Sequence, residues 1–252
     1  MKILVAIKQV PDPTVVAFDE QGTLQPNTGL IVNDYDSYAI EAAVRLKEAD
    51  PDTTDVVAMS LGPASAKDAI ARALAMGADR GVHLLTDGTV PDSLAVARAI
   101  RTEADAGEYD LVLVGQESSD GGTGNVGPET AALLDWPLIS NVVALELEGH
   151  KLTLGREVED GRHVVEVTLP AVLCVLTGLN EPRYPSLKGI MGARKKPLAV
   201  TESATDTRAV SWNPPHPEDR PEIGVVVDAE EIGVDAAAHL IVTLLRERDL
   251  LP

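Results

Sequence analysis

Cysteine is almost absent from this chain: Cys174 stands alone, which excludes an internal disulfide and any cysteine-built metal site. Its setting in "PAVLCVL" marks it as a core thiol, and no chemistry is assigned to it. Long apolar runs are missing as well. No stretch approaches the ~20 residues that span a bilayer, and Met1 leads straight into strand-like "KILVAIK" without a signal-peptide core. A cytoplasmic protein with no direct membrane insertion is therefore expected. Lysine is scarce, with 8 Lys against 13 Arg, and 40 acids outnumber 21 bases for a net charge of -19. Such a surface stays solvated when salt screens its self-repulsion, which points to a halophilic source. Its sign also argues against nucleic acid or anionic membranes as partners. Catalytic patterns are lacking too: His83, His150, His163, His216 and His239 stand singly, and neither G-x-S-x-G nor G-x-x-x-x-G-K-[ST] occurs.

What is present is an alternation of apolar runs and helical periods. "KILVAIK" over 2–8 reads as a buried strand, followed by a polar loop with Pro11, Pro13 and Gly22. "NDYDSYAIEAAVRLKEAD" offers Asn33, Asp34 and Asp36 as caps before apolar residues at helical spacing. "TDVVAMSLG" is a second strand stopped by Gly62-Pro63, and "ASAKDAIARALAMG" is a helix ending at Gly77. "GVHLL", a helix near 92–107 and the strand "YDLVLVG" continue the pattern. Strands separated by helices of this length imply right-handed crossovers and an α/β, doubly wound, mostly parallel sheet. Beyond residue 137 the turns at Glu148-Gly149 and Asp160-Gly161 mark a small antiparallel meander, after which "PAVLCVL" returns to a buried strand. The reading divides the chain into a nucleotide-binding α/β domain over 1–200 and an extended C-terminal arm over 201–252. The arm is Pro-rich and ends in a helix striped by Leu240, Ile241, Leu244 and Leu245, an apolar face suited to packing on another chain.

"DGGTGNVGPETAALLDW" contains a formal G-x-G-x-x-G at Gly122, Gly124 and Gly127. A dinucleotide fingerprint needs its first glycine directly after the strand and an acid about 20 residues on, at the next strand end. Here the strand ends at Gly115 with a loop before Gly121, and Glu146 and Glu148 fall in the meander, so the match reads as accidental. The physics beneath it survives. Gly121, Gly122 and Gly124 let a backbone approach a ligand closely, and a helix from about Pro128, placed at its first position, presents free N–H groups. The loop reads as an anion or phosphate cradle at the carboxyl end of a parallel sheet, the alternative being a Gly-rich connector that holds no ligand. Since no residue reads as nucleophile or general base, such a site fits a protein whose chemistry a cofactor supplies. A second unusual stretch runs from Arg183 to Lys196, with five bases and no acid.

"KILVAIKQVPD", "DYDSYAIEAAVRLKE", "ALAMGADRG", "DGGTGNVGPETAALLDWP", "GREVEDGRHVVEVTLPAV" and above all "LNEPRYPSLKGIMGARKKPL" resemble the β subunit of electron transfer flavoprotein, without large gaps from residue 2 to about 200. The resemblance implies an electron carrier rather than an enzyme, paired with an α subunit that holds a redox-active FAD. It implies AMP, or a second FAD, in this chain, held by Ala6, Asn33, Asp34, Tyr35, Asp36, Leu61, Gly115, Asp120, Gly121, Gly122, Thr123, Gly124, Asn125 and Val126. It further implies a recognition loop over 179–198 in which Leu187 anchors acyl-CoA or other dehydrogenases while Arg194, Lys195 and Lys196 steer them, with a quinone oxidoreductase as acceptor. "KQVPD" and "VGP" resemble electron-bifurcating and nitrogen-fixation-type members, whereas "LLDWP" is also common in the AMP type, so the nucleotide and any bifurcation of NADH electrons stay open. Two alternatives remain: a stand-alone adenine-nucleotide-binding module of the stress-protein class, which leaves the 183–196 stretch and the arm without a role, and an NAD-dependent oxidoreductase, which the misplaced fingerprint disfavours.

Overall fold

A computed structural model describes residues 1–19, 25, 29–88, 90–203, 209–211, 213 and 226–251. Gly22, His216 and most of the Pro-rich arm lie outside the described residues. Contacts divide the chain into two units, Met1–Pro215 and His216–Pro252.

In the first unit, the opening apolar run forms β1 (Lys2–Ala6), whose Ile3, Leu4 and Val5 are buried. An uninterrupted apolar run is what a strand buried on both faces requires. The strand ends earlier than the sequence suggests. Gln9–Pro11 forms β2, which pairs antiparallel with β3 (Leu30–Val32) as a separate two-stranded ribbon. There follow α1 (Asp34–Ala49), β4 (Asp55–Gly62), a 3-10 turn at Ala64–Ala66, α2 (Lys67–Met76) and β5 (Arg80–Leu85). Gly77 ends α2 at φ 143, where a Cβ would lie 2.7 Å from Val44 Cγ1, so only glycine serves there. Next come α3 (Ser93–Gly107), capped by Asp92 accepting from the Ala95 N–H at 2.8 Å, then β6 (Leu111–Gly115) and α4 (Val126–Leu134). The meander is β7 (Leu138–Glu148), β8 (Lys151–Val158) and β9 (Gly161–Thr168); after it come β10 (Ala171–Val175), α5 (Leu187–Ala193) and β11 (Leu198–Glu202).

The nine-stranded sheet has the order β11-β5-β4-β1-β6-β10-β7-β8-β9. Pairings from β11 through β7 are parallel, and the last two are antiparallel. From β1 the chain builds outward through β4 and β5, then returns to the other side of β1 with β6. The order thus reverses between β1 and β6, the crevice where open α/β sheets hold ligands. Side chains of β1 alternate between two cores. Ile3 and Val5 pack with Ile40, Val44 and Ile70 of α1 and α2; Leu4 packs with Ile100 and Ala131 of α3 and α4. Helices on both faces make the sheet doubly wound, as the alternating pattern requires.

The second unit contributes α6 (Ala229–Ile232) and α7 (Val234–Glu247). Leu240 and Ile241 on α7 are exposed, and Leu244 and Leu245 are half-buried. Among the described residues, no helix is long and apolar enough to cross a membrane.

Candidate functional site

Three segments meet at the point of strand reversal: the carboxyl end of β1 at Ala6, the first turn of α1, and the loop from Gly115 to Val126. Asp36 joins them. Its buried carboxylate accepts the Lys8 N–H at 2.7 Å and the Gly115 N–H at 3.1 Å. Burial pushes this carboxyl up to about 7, against the donors from Lys8, Asn33 and Gly115 that lower it. Gly115 has no room for any side chain, since a Cβ would lie 2.2 Å from Asp36 Oδ1 and 2.7 Å from Tyr35 Cβ. Asn33, also buried, donates to Glu117 O at 2.8 Å and accepts the Ser119 N–H at 3.1 Å, fixing the far side of the loop. Although it occupies the N-cap position of α1, Asn33 makes no cap bond with its side chain. Asn33 and Asp36 therefore spend their hydrogen bonds on their own chain. They shape the crevice, while the surfaces left open belong to the loop.

In that loop Gly122 and Gly124 hold φ of 58 and 61, the left-handed region that glycine enters without penalty. A Cβ on Gly122 would meet nothing within 4 Å, and on Gly124 the nearest atom would be Gln116 O at 3.5 Å. The loop thus leaves open space beside the start of α4, whose first-turn N–H groups have no partner inside the helix. Asn125 stands at the N-cap of α4 and makes no side-chain cap bond. The helix begins at Val126, so Pro128 is its third residue rather than its first, still within the turn where its missing N–H costs nothing. Lys8 reaches the loop from the segment between β1 and β2, paired with Asp120 at 2.6 Å and touching Ser118 Oγ at 3.3 Å. Leu61, near the end of β4, lies two residues past the partner of Ala6 on the same edge of the sheet.

The G-x-G-x-x-G spacing has a physical meaning that its misplaced position concealed. A Cβ on Gly127 would lie 2.2 Å from Cys174 Sγ, so this glycine lets α4 press against β10. Close helix–strand packing is the task of the third glycine in dinucleotide folds. Sequence reasoning missed Lys8 and Gln116. Both are polar residues just past the ends of strands, and Gln116 Oε1 accepts the Asn141 N–H at 2.9 Å to tie the loop to the meander.

The basic stretch is a different structure from the loop expected over 179–198. Its centre is the helix α5, capped by Ser186, whose hydroxyl accepts the Gly189 N–H at 3.0 Å. Leu187 is 75% exposed and Tyr184 89%, beside exposed Ile190 and Met191. Two of the five bases are committed within the chain. Arg183 is paired with buried Glu41 at 2.7 Å and with Glu48. Burial opposes ionisation of Glu41, yet Arg183 and Arg45 hold its carboxyl below the usual range. Lys196, expected as a steering cation, instead donates to Leu74 O at 2.8 Å and Ala78 O at 2.6 Å, closing the end of α2. Arg194 and Lys195 are exposed.

Residues 22–206 match the family described as "Electron transfer flavoprotein domain". Among curated proteins, the chain is 40% identical over 202 residues to the electron transfer flavoprotein subunit beta of Bradyrhizobium diazoefficiens, covering 79% of this chain and 80% of the relative. It is 40% identical over 210 residues to that of Thermoanaerobacterium thermosaccharolyticum, covering 82% and 80%. The human protein of the same description is 38% identical over 206 residues, covering 79% and 80%.

Proposed function

This chain belongs to the β subunits of electron transfer flavoprotein, and on that premise we propose that it holds an adenine nucleotide, AMP or a second FAD, in the crevice between β1 and β6 while pairing with an α subunit. The observation that carries the reading is the cradle itself. Two left-handed glycines, Gly122 beside open space and Gly124 with no atom closer than 3.5 Å to a Cβ there, precede the amino end of a nine-residue helix, at the point of strand reversal. The backbone from Gly121 to Val126 would hold the phosphate by N–H groups. Ala6 and Leu61 would border the remainder, and Asn33 and Asp36 would keep the walls in place. FAD on the α subunit, when bound, would take up electrons and pass them on. This chain then serves as carrier subunit rather than enzyme, moving electrons from acyl-CoA or other dehydrogenases to a quinone oxidoreductase or similar acceptor.

Docking of those dehydrogenases is assigned to α5, where Leu187 at the first position is exposed to solvent and the exposed Arg194 and Lys195 follow the helix's last residue. The arm, with the apolar stripe of α7, would grip the α subunit. Co-expression with the α subunit from the same source tests the reading: a yellow heterodimer is expected, and acid extraction followed by chromatography should release FAD together with a nucleotide held by this chain. A stable homodimer that binds no second chain and releases no nucleotide would contradict it.

A further inference from the structure

Beside α5 runs a groove of about 650 Å³, walled by α2 on one side and by the 184–198 segment on the other. Lys67, Arg72, Arg194 and Lys196 line it, against a single acid, Asp68. Lys67, Arg72 and Arg194 are exposed, and among the described residues none of the three forms an ion pair. Over the whole chain acids outnumber bases 40 to 21, so the groove inverts the charge of the surface around it. Four bases gathered against one acid repel one another, and a ligand of opposite sign relieves that repulsion.

The walls are fixed in advance. Gly189 brings α5 so close to α2 that a Cβ there would lie 2.4 Å from Ala75 O. Lys196 bonds the end of α2, and Arg183 fastens the preceding segment to Glu41 on α1. A surface already ordered loses little entropy when a partner arrives. Tyr184 and Ile190, both exposed apolar side chains, line the groove, and Leu187 and Met191 are exposed on the same short helix as Ile190. A small anion would satisfy the charges and leave those side chains wet. A protein segment bearing both apolar and acidic side chains satisfies both.

We propose that the groove between α2 and α5 receives a carboxylate-bearing segment of the electron-donating dehydrogenase, with Lys67 and Arg72 of α2 as recognition residues alongside the Leu187 contact. This rests on the assignment of α5 as the docking element. The test uses the α/β heterodimer and an acyl-CoA dehydrogenase reduced by its own substrate, with half-saturation of electron transfer measured at low and at molar salt. Lys67→Glu/Arg72→Glu should raise half-saturation about tenfold at low salt, and Lys67→Gln/Arg72→Gln about threefold, both effects shrinking at molar salt while flavin content is unchanged. Leu187→Ala, measured in parallel, should weaken docking at both salts. If only Leu187→Ala weakens it, the groove plays no part and the proposal falls while α5 remains the docking element. If only the α2 variants weaken it, the groove is supported and the Leu187 anchor is refuted. If none of them does, docking occurs elsewhere and both readings fall.

Discussion

Gly115→Ala would put a methyl group where Asp36 Oδ1 lies 2.2 Å away and Tyr35 Cβ 2.7 Å away. The end of β6 and the first turn of α1 would have to separate. Overpacking of this kind costs about 1–3 kcal/mol. Separation would also break the 3.1 Å bond from the Gly115 N–H to Asp36, and a buried amide left without a partner costs about 1–3 kcal/mol more. A total of about 3 kcal/mol, in the lower half of the combined range of about 2–6, allows for partial relaxation around the new methyl group. Asp36→Ala should cost about the same, since it strands the amides of both Lys8 and Gly115. The two losses share the Gly115–Asp36 bond, and removing Asp36 also removes the 2.2 Å clash with Oδ1 while leaving that with Tyr35 Cβ, so the double variant should cost about 4 kcal/mol rather than the sum of about 6, a coupling of about 2. Urea unfolding of the purified chain, followed by circular dichroism with tryptophan fluorescence as the two-state check, measures all four corners of the cycle. Additive losses would show that Asp36 and Gly115 do not form the joint described.

Leu187→Ala should leave urea stability and flavin content intact, because its side chain is 75% exposed. Partner affinity should fall by about 2 kcal/mol, roughly thirtyfold, as expected for truncation of a central anchor, and unchanged half-saturation with a dehydrogenase would place docking elsewhere. The pH dependence of stability follows from Asp36. Its folded pKa, raised to about 7 by burial, exceeds the unfolded value, so the folded state binds the proton more tightly. Its contribution is complete below about pH 4 and is lost as pH rises through about 7. The urea midpoint should therefore fall more steeply between about pH 5 and pH 8 in the native protein than in Asp36→Asn, and equal slopes would remove Asp36 as the cause.

The strands of the sheet were legible because buried parallel strands are written as unbroken apolar runs, as in "KILVA" and "AVLCV". The turns of the meander were legible from Gly149 and Gly161, both at positive φ. Other features depend on contacts between distant residues. No local pattern says that Asp36 spends its oxygens on Lys8 and Gly115, 28 and 79 positions away. None says that Lys196 turns inward to α2, because its neighbours Arg194 and Lys195 carry the same charge and stay exposed. The helix α5 was hidden by its exposed Leu187, Ile190 and Met191, which lack the buried stripe by which a helix is usually read, although Ser186 gave a cap signal. β11 was folded into the tail of the basic stretch because, at the edge of the sheet beside β5, all five of its residues are exposed.

The most direct test of the cradle compares nucleotide content in the native heterodimer and in Gly124→Leu. A leucine at φ 61 is strained, and its side chain would start 3.5 Å from Gln116 O, within the loop proposed to hold the phosphate. Acid extraction should recover the FAD of the α subunit from both proteins, and AMP or a second FAD from the native protein alone. Retention of that nucleotide by Gly124→Leu, or loss of both cofactors together, would contradict a nucleotide site between β1 and β6.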